Sequence, residues 1–354
     1  MSAEVPGTRC VACGRSYSGS PSEPHRCSCG RPLELEGERG APAELTNPVA
    51  GIWSFEEWFP RGPTVELGAG GTPLIDVPEY DAQFKLESCN PTGSFKDRGA
   101  ALTISRGAAL GVDQLKEDSS GNAGRAIAAY AARAGIDAHI YVPEHADRST
   151  LATIEATGAT LITVEGDRSA VARACLDAPG WYASHAWRPE FYLGTATCAW
   201  EIVANRGGTP PDAVVIPVGH GTLFLGLYRG FNALLEAKTI DTIPRLYAAQ
   251  LAGAGSLLQG DGTTVERTIA PGVRIEQPAR VTQVRQAIED TGGEVVPVDP
   301  SAVIDGRDEL ATLGFDMGST AALGVVALTS LRDADELDAS MDVVIPITGR
   351  SRDR

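Results

Sequence analysis

The chain has 354 residues, a formal net charge of −16, 43% hydrophobic residues and 21% charged ones. That length holds two lobes of ordinary size and a small appendage, and no apolar run approaches the length of a membrane span. The acidic balance argues against a nucleic-acid binder, which would show a basic face, and no membrane partner is expected.

Lysine is scarce: only Lys85, Lys96, Lys116 and Lys238 occur, and the other basic residues are arginines. Abundant Asp and Glu with so little Lys is also the composition of a halophile-like acidic protein. The opening Met1–Pro6 has no basic region and no apolar core, so no secretory signal is expected. The seven cysteines divide into a cluster of four and three scattered ones, which reads as reduced and cytoplasmic.

Residues 1–38 read as a separate unit. Cys10-Val-Ala-Cys13 and Cys27-Ser-Cys29 form two knuckles around a polar Ser/Gly/Pro loop. Four thiolates on two turns can close a tetrahedral zinc site, and a unit with so little core needs one. The second knuckle is one residue shorter than usual, so a ribbon that keeps the fold without the metal is the alternative. With four protein ligands no coordination position is open, which makes the unit structural.

From about residue 82 short apolar strands alternate with helices. The pattern predicts strands at Ala82–Glu87, His139–Val142, Leu161–Val164, Ala213–Val218, Tyr247–Gln250, Glu294–Val298 and Val343–Ile347. Helices are predicted to begin near Ser94 and to run over Ala123–Ala134 (stopped at Gly135), Thr150–Thr157, Arg168–Leu176 and Leu223–Ala237. Such alternation means an α/β protein with mostly parallel sheets.

Four segments at strand ends carry chemistry. Asn90-Pro-Thr-Gly-Ser-Phe-Lys-Asp-Arg-Gly99 puts Lys96 in the first turn of a helix, where unsatisfied amides disfavour an ammonium and favour a nucleophilic amine. Lysine forms Schiff bases and arginine does not; an ordinary surface lysine is the alternative. Lys85 reads as a strand residue, and Lys116 and Lys238 as polar surface. Ser119-Ser120-Gly121-Asn122 opens the alanine-rich helix with hydroxyls and amides suited to a carboxylate, or simply caps it. Gly219-His220-Gly221-Thr222-Leu223 follows a strand and opens a helix, a place for a phosphate dianion; it is neither a Walker loop nor the dinucleotide fingerprint. Thr348-Gly349 lies just past the final strand, at the ligand-facing edge of a parallel sheet, or is a turn.

In that order these segments resemble the pyridoxal-phosphate enzymes of fold type II from roughly residue 65 to 349, and most closely the threonine synthases, some of which also carry an N-terminal C-x-x-C…C-x-C ribbon. The resemblance implies two parallel-sheet lobes, as in tryptophan synthase β, with a zinc-ribbon-like appendage. It divides the chain into a ribbon at 1–38, a large lobe at 39–81 and 188–354, and a small lobe at 82–187. Lys96 takes the catalytic Schiff-base position, with Phe95 beside it in the cofactor site. Asn122 takes the position facing the cofactor's 3′-hydroxyl, Gly219 to Leu223 the phosphate loop, and Thr348 the partner of the pyridine nitrogen. Ser119, Ser120 and Gly121 take the carboxylate loop, while Arg98 and the C-terminal arginines are candidates for a substrate phosphate. Gly71-Thr72-Pro73-Leu74 matches the family lead-in. The family is commonly dimeric, so a homodimer with a small amino-acid substrate is expected.

Three places depart from the family pattern. His220 stands where Asn or Gly is more usual, Asp316-Met317-Gly318-Ser319 replaces Glu-Pro-Ser, and the tail after Gly349 reads Arg350-Ser-Arg-Asp-Arg354. The leading expectation is conversion of O-phosphohomoserine and water to threonine and phosphate. The alternatives are β-elimination or β-replacement of the threonine/serine dehydratase or cysteine synthase type, and a non-catalytic cofactor-binding paralogue, against which the intact Lys96 speaks.

Overall fold

β-Branched runs such as Ala213-Val-Val-Ile-Pro217 and Val343-Val-Ile-Pro346 have no polar face, as strands covered on both sides require. The computed structural model describes residues 5–37, 40–45, 50–60, 62–253, 257, 270–273, 275 and 277–350; residues 351–354 of the C-terminal tail lie outside the described residues. In chain order the elements are β1 (Thr8–Cys10), β2 (Ser16–Tyr17), β3 (Leu33–Leu35), β4 (Leu74–Val77), β5 (Ala82–Lys85), α1 (Lys96–Ala109), β6 (Gln114–Glu117), α2 (Asn122–Ala134), β7 (Asp137–Pro143), α3 (Arg148–Glu155), β8 (Thr160–Val164), α4 (Arg168–Asp177) and β9 (Trp181–Tyr182). They continue with α5 (Pro189–Asn205), β10 (Ala213–Pro217), α6 (Thr222–Glu236), β11 (Arg245–Leu251), α7 (Val281–Asp290), β12 (Val295–Val298), α8 (Pro300–Thr312), α9 (Ser319–Asp333) and β13 (Val343–Pro346).

The chain divides into two compact units. The first comprises Met1–Arg39, Phe55–Ala69 and Lys96–Gly194; the second comprises Gly40–Ser54, Gly70–Phe95 and Thr195–Arg354. Strands β4 and β5 belong to the sheet of the second unit, and the chain returns to the first at Lys96.

The first unit holds a parallel four-stranded sheet in the order β8-β7-β6-β9 and the antiparallel ribbon β2-β1-β3. The ribbon is tied to the rest of its unit by charge. Glu23, buried in the loop between its knuckles, pairs with Arg106 of α1 at 2.7 Å and with Arg188 at 3.2 Å, and Arg106 also pairs with Glu190 of α5 at 2.9 Å. Lys116, expected on polar surface, lies instead on β6 with 6% of its surface exposed. Burial is compatible with its amine because Nζ donates to the carbonyls of Leu176, at 2.9 Å, and Ala178.

The second unit holds the six-stranded sheet β12-β11-β10-β13-β5-β4, parallel except for the hairpin of β4 with β5. Its core runs from Phe84 through Val215 and Tyr247 to the buried face of helix α9. Lys85 is buried there against Glu201 at 2.9 Å, and its Nζ also donates to Thr72 O at 2.6 Å and Asn205 Oδ1 at 3.0 Å. Three acceptors meet three ammonium hydrogens, which is what makes a buried lysine tolerable. Among the described residues no helix is long and apolar enough to cross a membrane.

Close helix–loop contact in the first unit depends on Gly124. A Cβ there would meet Ser119 O at 1.8 Å, whereas one on Gly121 would find nothing nearer than Ser119 Oγ at 3.9 Å. Gly124→Ala is therefore expected to destabilise the protein by about 1–3 kcal/mol in urea denaturation, and Gly121→Ala to unfold close to the wild-type midpoint.

Candidate active site

Lys96 opens α1 immediately after the turn Asn90–Phe95, and that turn is held by a buried polar cluster. Asn90 Oδ1 accepts from Gly70 N at 2.9 Å, and Asn90 Nδ2 donates to Glu87 O at 2.9 Å and Glu87 Oε2 at 3.0 Å. Glu87 Oε1 accepts from Thr72 Oγ1 at 2.7 Å, which ties in the Gly71-Thr72-Pro73 lead-in. Gly93 takes φ +84°, a left-handed value open to glycine, and lets the chain turn toward the final strand. There Phe95 N donates to Thr348 O at 3.1 Å, Ser94 bridges Gly349, and Arg350 N donates to Gly93 O at 3.0 Å. Two stretches of the expected site are thus joined through their main chains. Arg350 also donates from Nε to Ser88 O at 2.9 Å.

Within the first unit, Lys96 is half-buried and its Nζ stands 5.5 Å from the centroid of the Phe191 ring. Gly99 permits this arrangement, since a Cβ there would lie 2.2 Å from Phe191 Cδ1. Desolvation pulls the amine down to about 7; the Glu117 carboxyl opposes the shift and the Arg168 guanidinium adds to it. Such an amine is substantially neutral at neutral pH, the state in which lysine is a nucleophile. Arg98, one turn position on, is completely buried in α1.

The Ser119–Asn122 loop leaves β6 and enters α2. Its residues do not cap the helix: the N-cap is Gly121, with no side-chain capping bond, and the only polar contact inside the loop is Gly121 N to Ser119 Oγ at 3.3 Å. Asn122 Oδ1 is shielded from solvent with no hydrogen-bond partner among the described residues. An uncapped helix start with such an atom on its first residue is built to meet a polar group from outside.

In the second unit, the loop from β10 to α6 is likewise uncapped by any side chain, with Gly221 at the N-cap in the left-handed region at φ +77°. A Cβ on Gly219 would meet Gly272 O at 2.3 Å, so only glycine lets these main chains approach. His220 is half-exposed in the loop, and Thr222 and Leu223 are buried at the start of α6. The main-chain amides at a helix start bring partial positive charge to one place, the electrostatics that an anion requires. Thr348 is buried past the end of β13. One residue that sequence reading passed over is Ser319, the first residue of α9: its Oγ is buried with no hydrogen-bond partner among the described residues, and the preceding Gly318 N donates to Gly349 O at 3.1 Å. The departure at Asp316–Ser319 was its only signal.

The thiol sulfurs of Cys10, Cys13, Cys27 and Cys29 all lie within 4.8 Å of one another. Cys10 Sγ to Cys29 Sγ is 3.6 Å and Cys13 Sγ to Cys27 Sγ is 3.5 Å. Zinc–thiolate bonds of about 2.3 Å in a tetrahedron separate sulfurs by about 3.8 Å, so the cluster is of a size to hold a metal ion. Cys27 is drawn down to about 6 by the Cys29 backbone N–H and then by the Tyr17 hydroxyl, which donates to its sulfur at 3.2 Å. Thiolate character of this kind is what metal binding uses.

The low pKa of Lys96 makes a direct test possible. In the ligand-free protein, acylation of Lys96 read by peptide mass spectrometry should reach half its maximal rate near pH 7 and fall about tenfold per unit below that. A midpoint at pH 9 or higher would remove the desolvation argument.

Residues 65–349 match the family model described as pyridoxal-phosphate dependent enzyme. Among curated relatives, threonine synthase of Synechocystis sp. is 31% identical, with 84% of this chain and 81% of the relative covered. Threonine synthase of Methanocaldococcus jannaschii is 27% identical, with 96% of this chain and 91% of the relative covered. Among solved structures, a fungal L-serine ammonia-lyase from Rhizomucor miehei superimposes with a TM-score of 0.70 at 22% identity, covering 82% of this chain and 95% of that one. A cysteine synthase from Entamoeba histolytica gives 0.67 at 21% identity, covering 80% and 86%. These two share the fold; the curated relatives add the branch. The chain belongs to the pyridoxal-phosphate-dependent enzymes of fold type II, in the threonine synthase family, and is a lyase of that kind.

Proposed function

We propose that the protein converts O-phosphohomoserine and water to threonine and phosphate. The observation that carries this reading is the Lys96 amine, desolvated to a pKa of about 7 in the family's anchor segment. The residues fit the cofactor: two uncapped helix starts offer amides, one beside the unpartnered Asn122 Oδ1 and the other in a glycine loop no side chain could replace.

When bound, pyridoxal phosphate supplies an aldehyde for amino groups and an electron-withdrawing ring that acidifies the substrate Cα–H. Lys96 would hold it and would move protons at the substrate's Cα and Cβ. Ser119, Ser120 and Gly121 would hold the α-carboxylate, and Asn122 would serve the ring hydroxyl. Gly219, His220, Gly221, Thr222 and Leu223 would hold the phosphate, Phe95 would line the cofactor site, and the Thr348 hydroxyl would serve the ring nitrogen. For the substrate phosphate the guanidinium groups are Arg98 and Arg350; the full burial of Arg98 favours Arg350. Zinc on Cys10, Cys13, Cys27 and Cys29 keeps the ribbon folded, and the active form is a cytoplasmic homodimer.

A second reading, β-elimination on serine or threonine, has one observation in its favour. Glu117 and Asp118 place two buried carboxyl groups directly before the carboxylate loop, a poor setting for a substrate that brings a second dianion.

Phosphate release from O-phosphohomoserine with threonine formation is the expected activity, and Lys96→Ala should lower it by at least about 10²–10⁴-fold. Keto-acid formation from serine or threonine without phosphate release would replace the first reading by the second. Metal analysis should find one zinc per chain in wild type and its loss in Cys13→Ser, with a lowered melting temperature; a metal-free wild type of unchanged stability would refute the zinc assignment.

A further inference from the structure

Within the first unit, residues 21–26 of the ribbon enclose a cleft of about 370 Å³ against the end of α4 and the strand β9. That volume lies at the lower end of the range for small-molecule sites, about 300–1,000 Å³, and suits a body of one ring. Lys116, Trp181, Tyr182 and Arg188 line it, each more than nine-tenths buried. The walls are held before anything enters. The Arg188 guanidinium lies 4.0 Å from the Trp181 ring centroid, and its Nε donates to Tyr182 O at 2.7 Å. The His25 ring meets Tyr182 edge-on, with centroids 5.2 Å apart. None of these residues belongs to the expected cofactor site.

The charges around this cleft do not balance. Glu23 is answered by Arg106 and Arg188, and Glu190 by Arg106, so these four buried groups cancel. Lys116 and Arg26 are left over. Lys116 Nζ gives two of its three hydrogens to the carbonyls of Leu176 and Ala178. Its third hydrogen has no partner, and its charge no paired carboxylate, among the described residues. Arg26 is exposed at the rim, 5.7 Å from the Trp187 ring centroid, and likewise makes no ion pair among the described residues. Asp177, also exposed on the rim, offsets only one of the two cations. In a chain of net charge −16, a positive excess set on aromatic walls serves neither solubility nor the fold. A buried ammonium with a spare hydrogen is satisfied by an anionic acceptor.

We propose that this cleft binds a small organic carboxylate with an apolar body of about one ring, the carboxylate on Lys116 and the body against Trp181 and Tyr182. Arg26 draws the anion to the rim by charge. A compact inorganic dianion fits less well, because forked guanidinium groups or main-chain amides hold it best. The one buried guanidinium lining this cleft is already engaged by Glu23 and the Tyr182 carbonyl. A neutral ring would leave the Lys116 charge unanswered. The cleft shares no residue with the proposed cofactor and substrate contacts, so its occupancy does not depend on which reaction runs there.

The test titrates the full chain, saturated with pyridoxal phosphate, with phenylacetate and reads binding by ligand-observed NMR. Phenylacetamide, which keeps the body and lacks the charge, is titrated beside it, and inorganic phosphate is added as a competitor. Phenylacetate should bind with a Kd at or below about 1 mM, and the amide at least about tenfold more weakly. Lys116→Met should weaken the carboxylate by at least about tenfold and leave the amide unchanged. Arg26→Glu, on an exposed side chain, should weaken the carboxylate by about threefold. If Lys116→Met does not fold, Arg26→Glu and the comparison of acid with amide decide. No binding of phenylacetate up to about 10 mM, or equal affinity for acid and amide, overturns the proposal. Phosphate that displaces phenylacetate at equal concentration overturns it too. So does an affinity unmoved by the substitutions, which is the result for binding at the carboxylate loop of the active site.

Discussion

Residues 93–95 and 348–350 are far apart in sequence, and a strip of main-chain hydrogen bonds holds them side by side. Ser94 bridges Gly349, Phe95 N reaches Thr348 O, and Arg350 N reaches Gly93 O. Backbone bonds of this kind involve no side-chain rotamer, so the course of the chain through Gly93–Phe95 is set by the main chain itself. The polar cluster of Thr72, Glu87 and Asn90 holds the other side of the same turn. Two sets of bonds thus fix the main chain of the second unit up to Phe95.

The division of labour between lysine and arginine follows from their chemistry. Structural ion pairs that must stay charged, such as Arg106 with Glu23 and Glu190, use the guanidinium, which does not lose its proton in a protein. The buried lysines of the framework, Lys85 and Lys116, are surrounded by acceptors. At Lys96 desolvation outweighs the opposing pull of the Glu117 carboxyl, so the amine gives up its proton near pH 7. Desolvation without full compensation is tolerated at this lysine, where the proposed chemistry needs a nucleophile.

Much of the architecture was legible because strand and helix periods alternate cleanly between 82 and 176, and the Gly135 stop falls where read, with φ +70°. Other elements were hidden for physical reasons. β6 reads Gln-Leu-Lys-Glu, which looks like surface, yet Lys116 and Glu117 are buried because carbonyls and His185 answer their charges. Helices α5 and α9 are apolar nearly all round, so no amphipathic period marks them. The loop segments of the site could be read from residue type and order, but not the absence of capping at Gly121 and Gly221, which only the backbone reveals. Glu117 and Ser319 escaped notice because each is significant through an atom without a partner, and sequence does not display partners.

Glu23 gives the ribbon a place in the order of synthesis. Its carboxylate waits for Arg106, 83 residues later, and Arg188, 165 residues later, so during translation the ribbon leaves the ribosome well before the groups that will neutralise it. Its own core is small, centred on Cys10, Cys27 and Leu33. A thiolate cluster closed early would keep the Glu23 loop in shape through that interval, and the two arginines would then fold onto a finished surface rather than a disordered one. A metal bound by the four thiols would in this way tie the yield of folded protein to metal supply at the moment of synthesis.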